Sequence, residues 1–226
     1  MNTNSFDPCW NGLHGSRLPG DTWPTDDMIR QVARHYFKFP DRGSLRALDV
    51  GCGSGPFTWF LARMGFAVSA IDGSSVAVAS CLHRLEREGL RAEVMVGDLL
   101  SLPWPDDTFD FAQESQCLYC NDVSTTNCIV AEIHRVLKPG GIFFSRTPAE
   151  DCWGAGLGTP EGDGAWRDAP DGPFAGMGLA RFLRKDQIKS LYHPFAIESI
   201  EKTSTTLDSM AHTLSMWNII CYKKSI

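Results

Sequence analysis

From Leu45 onward, short apolar runs alternate with longer stretches whose apolar residues recur at helical spacing. Runs at 46–50 and 67–71 read as strands, and those at 57–64 and 75–88 as helices. The rhythm continues with strands at 93–96 and 109–113, separated by a proline-rich turn at 102–107. A helix is predicted over 122–137, with Ile129, Ile133, Val136 and Leu137 on one face and Lys138-Pro139-Gly140-Gly141 ending it. The next strand is 142–146. Strand–helix alternation of this kind predicts βαβ units and a parallel sheet. Ahead of it, Thr25 is placed to cap a helix favoured by Asp26 and Asp27 at its positive end. Met28, Val32 and Tyr36 lie on its apolar stripe, and Pro40 stops it.

The pattern breaks over 148–180, where glycines recur at 154, 156, 158, 162, 164, 172, 176 and 178 with almost no apolar periodicity. Two readings stand for this segment, a lid and a disordered surface insertion. Beyond it, 185–192 reads as a helix and 195–203 and 216–223 as strands, a pair that fits an antiparallel edge to the sheet.

Composition narrows the picture. A chain of 226 residues, 43% of them hydrophobic, fits one α/β domain better than two small ones. A formal net charge of −6 disfavours nucleic acid as a partner. The polar first thirty residues and the lack of any membrane-length apolar run imply a cytoplasmic protein with no membrane partner. The eight cysteines fall mostly in apolar stretches and read as free buried thiols. Cys117 and Cys120 form a lone C-x-x-C without a second pair at zinc-like spacing, so no metal is expected.

Candidate chemistry concentrates at three successive strand ends. Leu48-Asp49-Val50-Gly51-Cys52-Gly53-Ser54-Gly55 stands where a buried strand turns into a helix, and its glycines let backbone approach a ligand without an intervening Cβ. Asp72 ends the second strand, 17 positions after Gly55 (72 − 55), where nucleotide-binding units place an acid that accepts both ribose hydroxyls. Gly97-Asp98-Leu99 follows the third strand and offers a carboxylate to an adenine amino group. Ligands in open α/β folds bind along this edge.

These motifs, with 102–110 and Arg135-Val136-Leu137-Lys138-Pro139-Gly140-Gly141, resemble the ordered motifs of class I S-adenosylmethionine methyltransferases over about 46–146. The likeness is greatest to the small-molecule branch that includes ubiquinone-biosynthesis-type enzymes. The resemblance implies an α/β, Rossmann-like, doubly wound, mostly parallel seven-stranded sheet with an antiparallel edge strand and helices on both faces. It implies S-adenosylmethionine as cofactor and a small-molecule methyl acceptor as partner, with oligomeric state left open. Carried onto this sequence, the glycine loop (Gly51, Cys52, Gly53, Gly55) passes the methionine part. Asp72 binds ribose, with Gly73 and Ser74 beside it; Asp98 and Leu99 face adenine, and Gln113, Glu114 and Ser115 line the sulfonium end. The chain then divides into an N-terminal helix and possible lid (1–43), a cofactor-binding core (44–147), a glycine-rich insertion or lid (148–182) and a C-terminal helix and strands (183–226).

Several positions keep two readings. Asp49, an acid inside an apolar strand, is either an anchor near the cofactor's ammonium group or a pin for the glycine loop. Asp110 and the Pro-Gly-Gly turn are structural. In-line methyl transfer needs positioning and exclusion of water rather than a nucleophilic side chain. If the acceptor needs a base, His14, Tyr119, Glu150, Asp151, His193 and His212 are candidates, led by Tyr119, His14 and Glu150. Tyr119 reads equally as a core residue, Glu150 and Asp151 as ordinary loop acids. His134 is set aside as lying on an exposed helix face far from the strand ends. The segment 10–17 is either a lid or a poorly ordered N-terminus. Arg17, Arg146, Arg167 and Arg181 are candidates for recognising an acidic substrate group. The expected activity is methyl transfer to an oxygen, nitrogen or carboxyl acceptor. A non-catalytic cofactor-binding protein and a nicotinamide-dependent oxidoreductase are the alternatives; the second lacks the later glycine of the dinucleotide fingerprint.

Overall fold

The computed structural model describes residues 5–16 and 23–225. A short helix, α1 (Cys9–Ser16), precedes α2 (Asp26–Tyr36). The βαβ series follows as β1 (Arg46–Val50), α3 (Pro56–Arg63), β2 (Ala67–Asp72), α4 (Ser75–Arg87), β3 (Glu93–Val96), β4 (Phe109–Ser115), α5 (Val123–Val136) and β5 (Leu137–Pro148). Three short strands, β6 (Thr159–Gly162), β7 (Ala165–Arg167) and β8 (Leu179–Arg181), then α6 (Lys185–Leu191), β9 (Ala196–Leu207) and β10 (His212–Tyr222) complete the chain.

Seven strands form one sheet in the order β3-β2-β1-β4-β5-β10-β9. The first five run parallel, and β10 lies antiparallel to both β5 and β9. Side chains alternate between two covered faces. Ala47, Phe111, Phe144 and Ile220 meet α2 and α3 through Met28, Val32, Tyr36 and Phe60. On the other face, Leu48, Ala112, Phe143 and Ile219 meet α5 and α6 through Ile129, Ile133, Ile188 and Leu191. The strand order reverses between β1 and β4, and the crevice above that reversal holds the site.

Local chemistry departs from expectation in three places. Thr25 occupies the N-cap position of α2 but makes no cap bond, and its hydroxyl is buried without a partner among the described residues. The 138–141 segment is drawn into β5 rather than ending α5 as a separate turn. Gly140 N–H donates to the Lys223 carbonyl (2.7 Å) and Lys223 N–H to that of Gly141 (3.0 Å). The glycine-rich segment contains a three-stranded antiparallel sheet, β6-β7-β8. Its anchor is Arg181, buried with its guanidinium donating to Thr126 Oγ1 (2.8 Å) and to the Asn121 carbonyl (3.3 Å). Phe174, Ala180 and Phe182 pack with Tyr119, Cys152 and Met216, seating this sheet beside the crevice. Asp110 ties three elements together, accepting from Arg46 N–H (2.9 Å) and from Lys138 Nζ on both oxygens (2.8 Å each).

Gly55 opens α3 with φ +78°, and a Cβ there would run into Cys81 Sγ. Gly55→Ala should therefore cost about 2–4 kcal/mol, from left-handed strain plus overpacking. Urea unfolding of Gly55→Ala/Cys81→Ala should recover the overpacking share alone; full recovery would refute the backbone contribution.

Candidate functional site

The turn from β1 to α3 is hung on the end of β2. Gly51 and Cys52 N–H both donate to the Ile71 carbonyl (2.8 and 3.1 Å). Gly53 N–H donates to Asp72 Oδ2 (2.8 Å), and Ser74 N–H to Asp72 Oδ1 (2.8 Å). Gly51 and Gly53 have φ of +68° and +53°, left-handed values that exclude most side chains. At Gly51 a Cβ would collide with Cys117 Sγ; at Gly53 it would point at His14 Cε1, 3.4 Å away.

A cavity of about 250 Å³ sits over this turn. Gly51, Cys52 and Gly53 form its floor, and Asp72, Gly73 and Leu99 one wall. Ser115, Gln116, Cys117 and Tyr119 form the opposite wall, with Phe6, Trp10, His14 and Met177 above. Nine of the sequence-derived site residues thus meet at one place: Gly51, Cys52, Gly53, Asp72, Gly73, Leu99, Ser115, His14 and Tyr119. Tyr119 is buried, donates to Met177 Sδ (3.3 Å) and stands edge-on to Phe174, so it serves the core and the wall together. His14 lies 5.9 Å from the Trp10 ring, centroid to centroid.

Other expected residues stand back from the cavity. Asp49 is fully buried, accepting from Thr58 Oγ1 (2.6 Å) and from Gln113 Nε2, so it braces α3 and β4 instead of facing a ligand. Glu114 points to the opposite face, accepting from Ser145 Oγ and from Cys117 and Leu118 N–H (3.1 and 3.3 Å). Gln113 and Glu114 are buried at 1% and 0% exposure, and only Ser115, the last residue of β4, reaches the cavity wall. Gly55 packs on Cys81, and Ser74 caps α4 through Ala77 N–H (3.1 Å) while donating to Asn11 Oδ1 (2.7 Å). Asp98 accepts from Ser5 and from Leu100 N–H (3.0 Å).

The acid and histidine candidates past β5 do not converge here. Glu150 is exposed and accepts from Trp217 Nε1 (3.2 Å), on the α6 side of the sheet. Asp151 pairs with Lys202 (2.6 Å), His212 stacks on Trp153 (3.8 Å between centroids), and His193 is exposed beside the Ser190 carbonyl. His134 is half-buried against Phe195 rather than on an open helix face. Arg167 is engaged with Glu161, Arg146 is buried with Nε 3.6 Å from Asp27, and Arg17 lies outside the described residues. Among the cysteines, Cys128 is exposed and Cys9, Cys117 and Cys120 only partly buried.

Phe6, Trp23, Gln116 and Met177 line the cavity without having been singled out by motif, and Thr25, read only as a helix cap, lines it as well. Trp23 and Phe6 carry a weak signal, as aromatics in an otherwise polar N-terminal stretch. Gln116 has φ +58°, a strained non-glycine residue at the end of β4, and no sequence pattern announces it.

A family model described as a methyltransferase domain matches residues 47–141. That span contains the glycine turn, Asp72, Asp98 and all of β4. Over 47–141 the chain is thus similar to a methyltransferase domain, in the same stretch whose motifs resemble those of the class I S-adenosylmethionine methyltransferases. It is similar to malonyl-[acyl-carrier protein] O-methyltransferase of Enterobacter lignolyticus, 27% identical over 72% of this chain and 60% of that protein. It is also similar to a sterol 24-C-methyltransferase of Gibberella zeae, 30% identical over 52% of this chain and 32% of that protein. The chain thus spans less than two thirds of these relatives. In backbone it resembles an S-adenosylmethionine-dependent methyltransferase from Methanosarcina mazei, with a TM-score of 0.70 and 24% identity, covering 80% of this chain and 93% of that one. Among the described residues no helix is long and apolar enough to cross a membrane.

Burial pushes the Asp49 carboxyl up to about 7 against the lowering effect of its Thr58 and Gln113 bonds. Unfolded, it ionises near the ordinary value of about 3.9. The folded state therefore holds the extra proton between these values, and stability falls as pH rises through that window. Glu114, also raised by burial, acts in the same direction. Asp49→Asn should flatten this fall by on the order of a few kcal/mol in urea unfolding between about pH 4 and about pH 7. An unchanged slope would assign the proton to another group.

Proposed function

We propose that this chain transfers a methyl group from S-adenosylmethionine to a small-molecule oxygen, nitrogen or carboxyl acceptor held beneath α1. The observation that carries the reading is the Asp72 carboxylate on the cavity wall. Each of its oxygens accepts one backbone N–H, which leaves a lone pair on each for the two hydroxyls of a ribose. Side-chain-free backbone at Gly51 and Gly53 gives the adjoining part of the ligand room to lie against the turn. The orphaned Thr25 hydroxyl supplies a further polar contact at the cavity, because buried polar groups seek partners.

When bound, S-adenosylmethionine supplies an electrophilic methyl group on a cationic sulfonium. The chain's own part is to hold, orient and dry the reacting pair. Asp72 fixes the ribose, while Asp98 and the Leu99 N–H read the adenine edge. Ser115 and Gln116 border the methyl end. Trp10, Tyr119 and Met177 present apolar surface to the acceptor and exclude water, which suits a flat or apolar acceptor body. His14, the one imidazole lining the cavity among the described residues, takes the proton that a hydroxyl or ammonium acceptor must lose. Glu150, on the other side of the sheet, has no part in this reading.

Calorimetry should show binding of S-adenosylmethionine and S-adenosylhomocysteine, weakened at least about tenfold by Asp72→Ala through the lost charge-assisted bonds. His14→Ala should leave that affinity within about twofold and lower turnover by about 100-fold or more on hydroxyl or amine acceptors. Absence of binding would remove the proposal. Binding without S-adenosylhomocysteine formation across hydroxyl, amine and carboxyl acceptors would favour a non-catalytic binding protein instead.

A further inference from the structure

The segment before α1 lies across the wall where Asp98 and Leu99 end β3's turn. Ser5 Oγ–H donates to Asp98 Oδ1 (2.6 Å), and the same oxygen accepts from Leu99 N–H (3.2 Å). Ser5 N–H also donates to Asp98 Oδ1 (3.2 Å). One hydroxyl thus satisfies a carboxylate acceptor and a neighbouring backbone donor together. An adenine offers the same pair from adjacent positions, with its amino group donating and its ring nitrogen accepting. Phe6 follows directly and packs so closely on Gly73 that a Cβ at that glycine would lie 2.6 Å from Phe6 Cγ and 2.7 Å from its Cβ. The cavity left over, about 250 Å³, is below the roughly 300–1,000 Å³ usual for small-molecule sites.

We infer that residues 5–7 form a built-in competitor of the adenine, which the cofactor must displace from Asp98 and Leu99 to bind. The inference rests on the proposed function, since it takes Asp98 and Leu99 as the adenine-reading pair. It assigns a regulatory device to a segment more than ninety residues away in sequence from the groups it covers. The occluded form lowers apparent cofactor affinity by the fraction of molecules that hold it. Anything that engages the N-terminal segment elsewhere raises affinity by releasing the plug. Because Asn11 of α1 accepts from Ser74 Oγ (2.7 Å) next to Asp72, the same segment is anchored at the ribose side as well.

Two measurements on the full chain test this. In calorimetry, Ser5→Ala should tighten binding of adenosine and of S-adenosylhomocysteine by about three- to tenfold, the worth of the competing hydrogen bonds. Homocysteine, which lacks adenine, should show no change. In limited proteolysis, adenosine should accelerate chymotryptic cleavage after Phe6 in the unsubstituted protein. Equal affinity in Ser5→Ala, weaker affinity, or protection of Phe6 by adenosine would each overturn the competitor, the last by showing that the segment closes over the ligand. If neither adenosine nor S-adenosylhomocysteine binds the parent or Ser5→Ala, the proposed function falls with it. Binding that ignores Ser5 removes this inference alone.

Discussion

Asp72 holds two turns at once, taking Gly53 N–H on one oxygen and Ser74 N–H on the other. A charged acceptor on two backbone donors is about twice as strong as a neutral pair, and it fixes distance as well as energy. The β1–α3 turn cannot lift away from β2 without breaking one of these bonds, and α4 cannot shift its start without breaking the other. The floor of the cavity, the entry of α3 and the cap of α4 are therefore one rigid unit. That unit is what allows a small ligand to meet preset groups rather than a flexible rim.

Behind this rim, the two buried acids divide the faces of the sheet between them. Asp49 braces the α3 side through Thr58 and Gln113, and Glu114 the α6 side through Ser145, whose oxygen stands 2.6 Å from Tyr192 Oη. Repulsion from Asp72 adds to the burial that raises Asp49. A largely neutral Asp49 behind the rim below about pH 7 leaves the lining acids, Asp72 and Asp7, as the source of negative charge at the cavity, which favours a ligand that carries positive charge nearby.

The parallel core was legible because both of its periods are strong. The β1, β2 and β4 runs are buried on both faces and carry apolar residues on each, and the helix stripes of α2 and α5 match their buried positions. The glycine turn and Asp72 were legible from spacing, since a strand end and a fixed reach confine where an acid can stand. What lay beyond strand ends was not. Gln113 and Glu114 sit two residues and one residue before Ser115 at the rim, and a sheet covered on both faces buries them; only Ser115 clears the edge. Glu150 lies past β5, where chain direction depends on the antiparallel pairing with β10 and not on any local pattern. The strands of 159–181 are three or four residues long and glycine-bounded, too short to show a period. The Ser5–Asp98 contact joins residues 93 positions apart, and no local rule reaches that far.

The two rims of the large sheet are guarded differently. β3 is four residues long, which leaves little backbone for another strand to grip. β9 is twelve residues long, and among the described residues no strand pairs with its outer side. Exposed Glu198, Glu201 and Lys202 interrupt that long row of backbone donors and acceptors, so an approaching copy would have to desolvate charge before it could pair. Replacing these three with apolar β-formers would turn a protected border into a seam for self-association while leaving the crevice above the β1–β4 reversal, separated from β9 by β5 and β10, untouched.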